Sequence, residues 1–254
     1  MAEFGIDQAV ACFAGGFAAV RNFLRPCEVT LLADHMWMVR DSIDFNSKKK
    51  QEPRVTEIYP LGLAADYVLA TALVIPEKTY ICAVVPDGDI PASTVNEYKA
   101  CGCRYLRSEG LYCVEAKSAL LKGTDLPIRR VTTTLDADEV NSGAGARQIF
   151  AEHLTTADSV CRLYAAFDGE SPVGWVRSIR TGPETAYVSN LYVLEPYRKR
   201  GIGRALMSAM LNEDIKYGIQ YSSLAASTAG SMLYPHLGYQ RIGTLLLIAP
   251  PKPK

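Results

Sequence analysis

The 254-residue sequence has no net charge, since 27 Lys and Arg balance 27 Asp and Glu. A balanced chain has no global field with which to gather a polyanion, so neither nucleic acid nor an anionic membrane is an expected partner. No Cys-x-x-Cys pair occurs, and Cys101-Gly102-Cys103 has no histidine nearby, so zinc-knuckle spacing is absent and no metal is expected. The seven cysteines are odd in number and sit mostly in apolar contexts, which suits reduced, buried thiols rather than a disulfide framework. A membrane-spanning run is missing too. Residues 9–24, AVACFAGGFAAVRNFL, are too few, are broken by Gly15-Gly16 and carry Arg21 and Asn22. Glu3 and Asp7 stand where a leader would have Lys or Arg. The expectation is a soluble, cytoplasmic protein whose first helix packs by its alanines.

What is present is concentrated in residues 189–207, SNLYVLEPYRKRGIGRALM. Leu191 and Val193 alternate as in a strand, and Pro196, with no N–H for a ladder, ends it. Arg198-Lys199-Arg200-Gly201-Ile202-Gly203-Arg204 follows, and then Ala205, Leu206, Ala209 and Met210 recur at helical spacing. A glycine-bearing turn at a helix N-terminus leaves backbone N–H groups free for an anion, and four cations surround this one. The guest such a site suits is a diphosphate. Three motifs compete for it. The P-loop string Gly-x-x-x-x-Gly-Lys-Ser/Thr occurs nowhere. The dinucleotide fingerprint wants a glycine at Leu206 and an acidic residue about twenty positions on, where the chain instead reads Gln220-Tyr221-Ser222. The third, Arg/Gln-x-x-Gly-x-Gly/Ala after a strand ending in Val-x-x-Pro, is matched by Arg198, Gly201 and Gly203 after Val193 and Pro196. On these residues the chain resembles the GNAT superfamily of N-acetyltransferases. The plain alternative is a solvated basic turn that only caps a helix.

The order of elements agrees over roughly residues 127–249. Ile128–Thr133 reads as a strand, and Asp136–Phe150 as a helix interrupted at Ser142-Gly143-Ala144-Gly145. Cys161–Phe167 and Pro172–Ile179 form a hairpin about Asp168-Gly169, and Ala186–Val193 is the central strand. The helix runs to about Tyr217. Gln220–Ala225 is a strand, Gly230–Leu237 a short helix and Tyr239–Ile248 the last strand. Before the turn-rich Leu121–Pro127, the expected elements are strands at Cys27–Leu32, Met36–Arg40, Val55–Tyr59, Thr79–Val85 and within Arg104–Lys117. Ser47–Gln51 reads as a solvated loop. Helices are expected at Leu61–Val74, buried, and Pro91–Lys99. The halves share landmarks in one order: Cys27 and Cys161 open similar strands, Trp37 and Trp175 stand in the next, Pro60 and Pro196 end the third, and Tyr98-x-x-x-Gly102 matches Tyr234-x-x-x-Gly238. The expected fold class is therefore α+β, a mixed, mostly antiparallel GNAT-like sheet flanked by helices, with two such domains in tandem at 1–125 and 126–254, the first degenerate; the alternative for 1–125 is an unrelated α+β cap. After Pro60 the first copy reads Leu-Gly-Leu-Ala-Ala-Asp, without paired glycines or cations, so it is not expected to hold a diphosphate.

The resemblance implies an acetyltransferase that uses acetyl-CoA as acyl donor and an amine as acceptor, a small molecule first and a protein amine second. It implies that the Leu191 N–H meets the thioester carbonyl and that Tyr192 and Val193 line the pantetheine arm. It implies a diphosphate held by Arg198, Lys199, Arg200, Gly201, Ile202, Gly203, Arg204 and Ala205. Ser227 and Tyr234 would also touch the cofactor, and Tyr234, followed by Gly238 and Tyr239, would protonate the leaving thiolate. Many relatives carry Asn where Ser227 stands. Asn190 and Tyr187 are candidates for the acceptor side. His236, two residues past Tyr234, reads as surface or core. For the general base, Glu152, His153, Glu184 and a water chain stay open, because Tyr187 stands where some relatives have glutamate. A homodimer is compatible with the chain. The rival from another class is a catalytically silent acetyl-CoA-binding sensor or scaffold.

Overall fold

The computed structural model describes residues 4–23, 26–42, 55–119, 125–154, 159–227 and 230–251. Ser47–Gln51 and most of Leu121–Pro127 lie outside them. Two compact units result, one within residues 1–112, 225–231 and 241–254, the other within 113–224 and 232–240.

In the first unit α1 (Ile6–Arg21) buries Ala9, Val10, Ala14, Gly16 and Ala18, small residues that let the helix backbone come close to its neighbours. Strands β1 (Cys27–Ala33), β2 (Met36–Asp41) and β3 (Val55–Pro60) pair antiparallel, and α2 (Ala65–Val74) crosses over to β4 (Lys78–Pro86), which is parallel to β3. Helix α3 (Pro91–Ala100) and strand β5 (Arg104–Glu115) follow. Helix α2 is shorter and less buried than its alanine-rich sequence suggests. Leu61 bridges to Val84 instead of turning helically, and Leu73 and Val74 are exposed while Val68 and Ala72 face the core. The far edge of β4 is covered by β11 (Gln240–Ala249), antiparallel from Gly243↔Pro86 to Ile248↔Ile81. A Cβ on Gly243 would lie 2.7 Å from the Val85 carbonyl oxygen, so this crossing needs glycine. The first unit is thus closed by the last strand of the chain, which the division at residue 125 assigns to the other half.

The second unit repeats the pairing order. Strand β6 (Ile128–Arg130) edges β7 (Cys161–Asp168), β8 (Ser171–Arg180) and β9 (Thr185–Val193), all antiparallel, and α5 (Ile202–Lys216) leads to β10 (Tyr221–Ala226), parallel to β9. Helix α4 (Thr134–Ala144) is capped by the Thr133 hydroxyl, which accepts from the Asp136 N–H at 3.2 Å. It ends where Gly145 turns left-handed at φ 63°, so Gln148–Phe150 is not the continuation of a helix that the sequence suggested. The helix expected at Gly230–Leu237 is two 3₁₀ turns, Gly230–Met232 and Tyr234–Leu237. Trp37 pairs with Tyr59 across β2 and β3, and Trp175 with Tyr192 across β8 and β9, so the landmarks of the two halves hold equivalent register positions.

Helix α5 is fastened to its sheet by a dry ion pair. Arg162 Nη2 donates to Asp214 Oδ1 at 2.5 Å with both side chains fully buried, and the Ser178 hydroxyl donates to the same carboxylate at 2.8 Å. Burial lifts the Asp214 carboxyl above its usual range, while Arg162 and Ser178 oppose that rise. Asp214→Asn leaves a guanidinium buried without its counter-charge, and the expected loss is about 3–5 kcal/mol of unfolding free energy in a denaturant melt. A loss below about 1 kcal/mol would show that the pair does not hold α5.

Candidate functional site

The end of β9 is irregular in two ways. Tyr192 faces Trp175 and Ser189 faces Arg177, so Asn190 and Leu191 together oppose Val176 in a bulge, with Asn190 at φ 51°. On its other side, β9 pairs with β10 only from Thr185↔Tyr221 to Tyr187↔Ser223, although β9 continues to Val193. The parallel pair therefore opens after Tyr187 and releases the β9 backbone from the ladder. In the first unit the equivalent pair stays closed, through Ile58↔Ile81 to the bridge at Leu61↔Val84.

A polar network holds the bulge. Asn190 Nδ2 donates to Gln148 Oε1 at 2.5 Å, and the buried Gln148 takes its own anchorage from Asn141, whose Oδ1 accepts the Gln148 N–H at 2.6 Å. Arg177, also buried, donates to the Ser189 hydroxyl at 2.9 Å. Burial lowers the basicity of the Arg177 guanidinium.

Beyond Val193 the chain makes a 3₁₀ turn, Glu195–Tyr197, and reaches α5 through Lys199 at φ 62° and Gly201 at φ 79°. Gly201 is the N-cap of α5, and no side chain caps the helix, so its first N–H groups keep their anion-binding capacity. Arg204 Nε is buried with no partner among the described residues, an orphaned donor at the helix entrance. These features fit a diphosphate. Arg198 is engaged otherwise: its Nε donates to the Val193 carbonyl at 3.0 Å, and its guanidinium lies 5.5 Å from the Tyr192 ring. Tyr192 itself stacks on Trp175 with centroids 5.2 Å apart. Arg200 rests over Tyr197, 5.2 Å from the ring centre. A Cβ on Gly203 would meet only Leu233 at 3.6 Å and Val193 at 3.8 Å, ordinary separations, so protein packing does not demand this glycine. Ile202 and Ala205 are buried beneath the turn.

Leu233 precedes Tyr234, so the 3₁₀ turn that carries the phenol abuts the start of α5. Tyr234 is 7% exposed, and burial pushes its hydroxyl up to about 12. Its ring lies 5.7 Å from that of Tyr239, whose hydroxyl is 2.7 Å from Ser222 Oγ. Leu191 and Val193 are half-buried, Tyr187 is buried at the last paired position of β9, and His236 is exposed. Ser227 is exposed, and its hydroxyl accepts from the Gly230 N–H at 3.3 Å, closing its own turn. Glu184 lies in the turn before β9, where its carbonyl accepts from the Gln220 and Tyr221 N–H groups. Glu152 is exposed, and burial lowers the pKa of the half-buried His153.

Residues 159–241, which contain the opened strand, the turn and Tyr234, match the profile of the acetyltransferase (GNAT) domain. This segment is a GNAT domain. It is the domain of an acyltransferase. A Bacillus subtilis protein described as uncharacterized, YyaT, is 28% identical over 122 residues, which cover 44% of this chain and 82% of that protein. A GCN5-related N-acetyltransferase from Kribbella flavida shares the fold over 99% of this chain and 98% of its own, at 15% identity and a TM-score of 0.66. A tandem GNAT protein from the clavulanic acid biosynthesis pathway covers 96% of this chain and 89% of its own length, at 13% identity and a TM-score of 0.54. The GNAT fold is thus present, with mixed sheet and flanking helices, and a tandem protein matches nearly the whole chain.

Three features around the GNAT site have no local sequence signal. Gln148 and Arg177 reach the bulge from distant segments. Gly174 lies where β8 passes under β9; a Cβ there would be 2.9 Å from the Tyr192 carbonyl oxygen and 3.2 Å from Leu206 Cδ1. Only the Trp175-Tyr192 pairing, once the register is known, identifies this glycine as the one that lets the strand and α5 close.

Proposed function

We propose that the protein is an acetyl-CoA-dependent N-acetyltransferase acting on an amine, a small molecule in preference to a protein. The observation that carries this reading is the opening of β9 from β10 directly before an uncapped, cation-ringed helix start. The α5 N–H groups with Lys199, Arg200 and Arg204 would hold the diphosphate, and the freed β9 backbone would face the pantetheine arm. The CoA thioester supplies an activated acyl group. The Leu191 N–H, at the bulge, would donate to the thioester oxygen as negative charge develops there, a donor fixed in advance by the strand. Asn190, held by Gln148, and Tyr187 would position the amine. Tyr234 would donate to the leaving sulfur, and with its pKa near 12 it remains a phenol throughout the working range. In the same reading, residues 1–125 and 126–254 are the two copies of a repeat, the first without donor chemistry, in a cytoplasmic protein able to form a homodimer.

A calorimetric titration with acetyl-CoA, followed by thiol release across a panel of amines, tests this. Tyr234→Phe is expected to leave acetyl-CoA affinity within about twofold and to lower kcat by about 100-fold or more, the lower end of what a positioned proton donor contributes. Unchanged turnover would remove Tyr234 from the chemistry. The competing reading, an acetyl-CoA-binding sensor, draws on the bulge network, in which Gln148, Asn190, Ser189 and Arg177 are none of them general bases. Tight acetyl-CoA binding with no thiol release from any amine would favour the sensor. No heat of binding would overturn both.

A further inference from the structure

The first unit holds a cleft of its own, with a volume of about 100 Å³ among α1, β3, β4, β5 and β11. Room of this order takes no more than one aryl ring or short alkyl group, since a cavity of about 150 Å³ holds benzene. One side of it is apolar. Phe13 and Phe17, one helical turn apart on α1, stack with centroids 6.0 Å apart, and Leu245 and Leu247 of β11 complete that apolar side.

Into these walls β3 sets a carboxylate, Glu57. Its Oε2 accepts from the Tyr59 hydroxyl at 2.6 Å and from Cys82 Sγ at 3.7 Å. Burial first, and then the neighbouring Glu57 charge, raise both donors well above their ordinary pKa. They therefore stay protonated, the thiol is not a nucleophile, and neither group brings positive charge. No ion pair to Glu57 occurs among the described residues, and its second oxygen has no donor there. Arg107, which also lines the cleft, is 3.4 Å from Glu109 with its side chain 68% exposed, so its charge is matched at the rim. Glu57 and Glu109 against Arg107 leave the cleft net negative. A carboxylate among aromatic and aliphatic walls is best compensated by a cation brought by a ligand.

We propose that this cleft is a binding site for an organic ammonium ion with an aryl or alkyl body, the ammonium on Glu57 and the apolar part between the phenylalanines and Leu245 and Leu247. The site is independent of the acyl-donor site. The closed β3–β4 pair leaves no strand opening beside it for a thioester arm, so the ligand is bound and not acylated there.

The test is calorimetry on the full chain with phenethylammonium, its neutral isostere phenethyl alcohol, and phenylacetate, with hydrogen exchange to locate the ligand. The ammonium is expected to bind at least tenfold more tightly than the alcohol, with phenylacetate weakest, and to protect residues 13–17 and 245–247. Glu57→Gln should remove that tenfold preference while the alcohol is unaffected. Phe17→Ala, which leaves the carboxylate network intact, should weaken ammonium and alcohol alike, and it decides the matter if Glu57→Gln does not fold. Equal binding of alcohol and ammonium, a folded Glu57→Gln variant that still prefers the ammonium, or protection confined to residues 187–193 would overturn the proposal. The last outcome would place the amine at the acceptor side of β9 instead, and acetyl-CoA titration of the same sample would show whether the transferase reading itself stands.

Discussion

Gly203→Glu is expected to lower acetyl-CoA affinity by about 100-fold or more, whereas Gly203→Ala should cost no more than a few-fold. The difference follows from what surrounds the position. A methyl group there meets Leu233 and Val193 at ordinary distance, so alanine fits the protein. A glutamate puts a negative charge at the uncapped start of α5, where the diphosphate is proposed to lie. Two like charges about 4 Å apart repel by about 4 kcal/mol at an effective dielectric of 20. The helix start itself welcomes a carboxylate, so the variant should fold, and its thermal midpoint should match or exceed that of the natural chain. Calorimetry with acetyl-CoA reads the affinity. If the glutamate variant binds as the natural chain does, the turn from Arg198 to Arg204 is not the diphosphate site.

The second large effect is expected from removing β11. A chain ending at Tyr239 retains every element of the first sequence half, and by sequence division alone that half should stand intact. In the structure it does not, because six register pairs from Gly243 to Ile248 cover the edge of β4. Leu245, Leu246 and Ile248 are buried there, at about 1.5–3 kcal/mol each. Together these rival the whole stability of a typical domain. The truncated chain should lose the cooperative melt of the first unit and expose residues 1–112 to protease. A chain ending at residue 125 should fail in the same way. Survival of a native melt in either would mean that β11 is dispensable and that the halves are independent.

Much of this was legible in the sequence because it is local. The strand ending at Val193 ahead of Pro196, the glycines of the turn and the helical spacing after them lie within twenty residues, and the structure has them in that order. The repeat was legible because Trp37 and Trp175 mark equivalent strands. What was not legible depends on distant partners or on single backbone angles. Gly145 ends α4, which the apolar pattern alone carried on to Phe150, and this frees Gln148 to reach Asn190. The low burial of α2 was hidden because alanine and valine read as core wherever they stand. No string of residues announces that β4 takes β11 as its neighbour, since one β-branched strand edge suits another until the register is set.

The antiparallel seat of β11 on β4 also fixes an order of events during synthesis. A ribosome releases residues 1–86 long before it reaches Gly243, and domains ordinarily condense as they emerge. Here β4 must wait with an open edge while the acetyltransferase segment is translated. Throughout that interval the nascent protein carries an apolar strand paired on one edge alone, the kind of surface that chaperones shield.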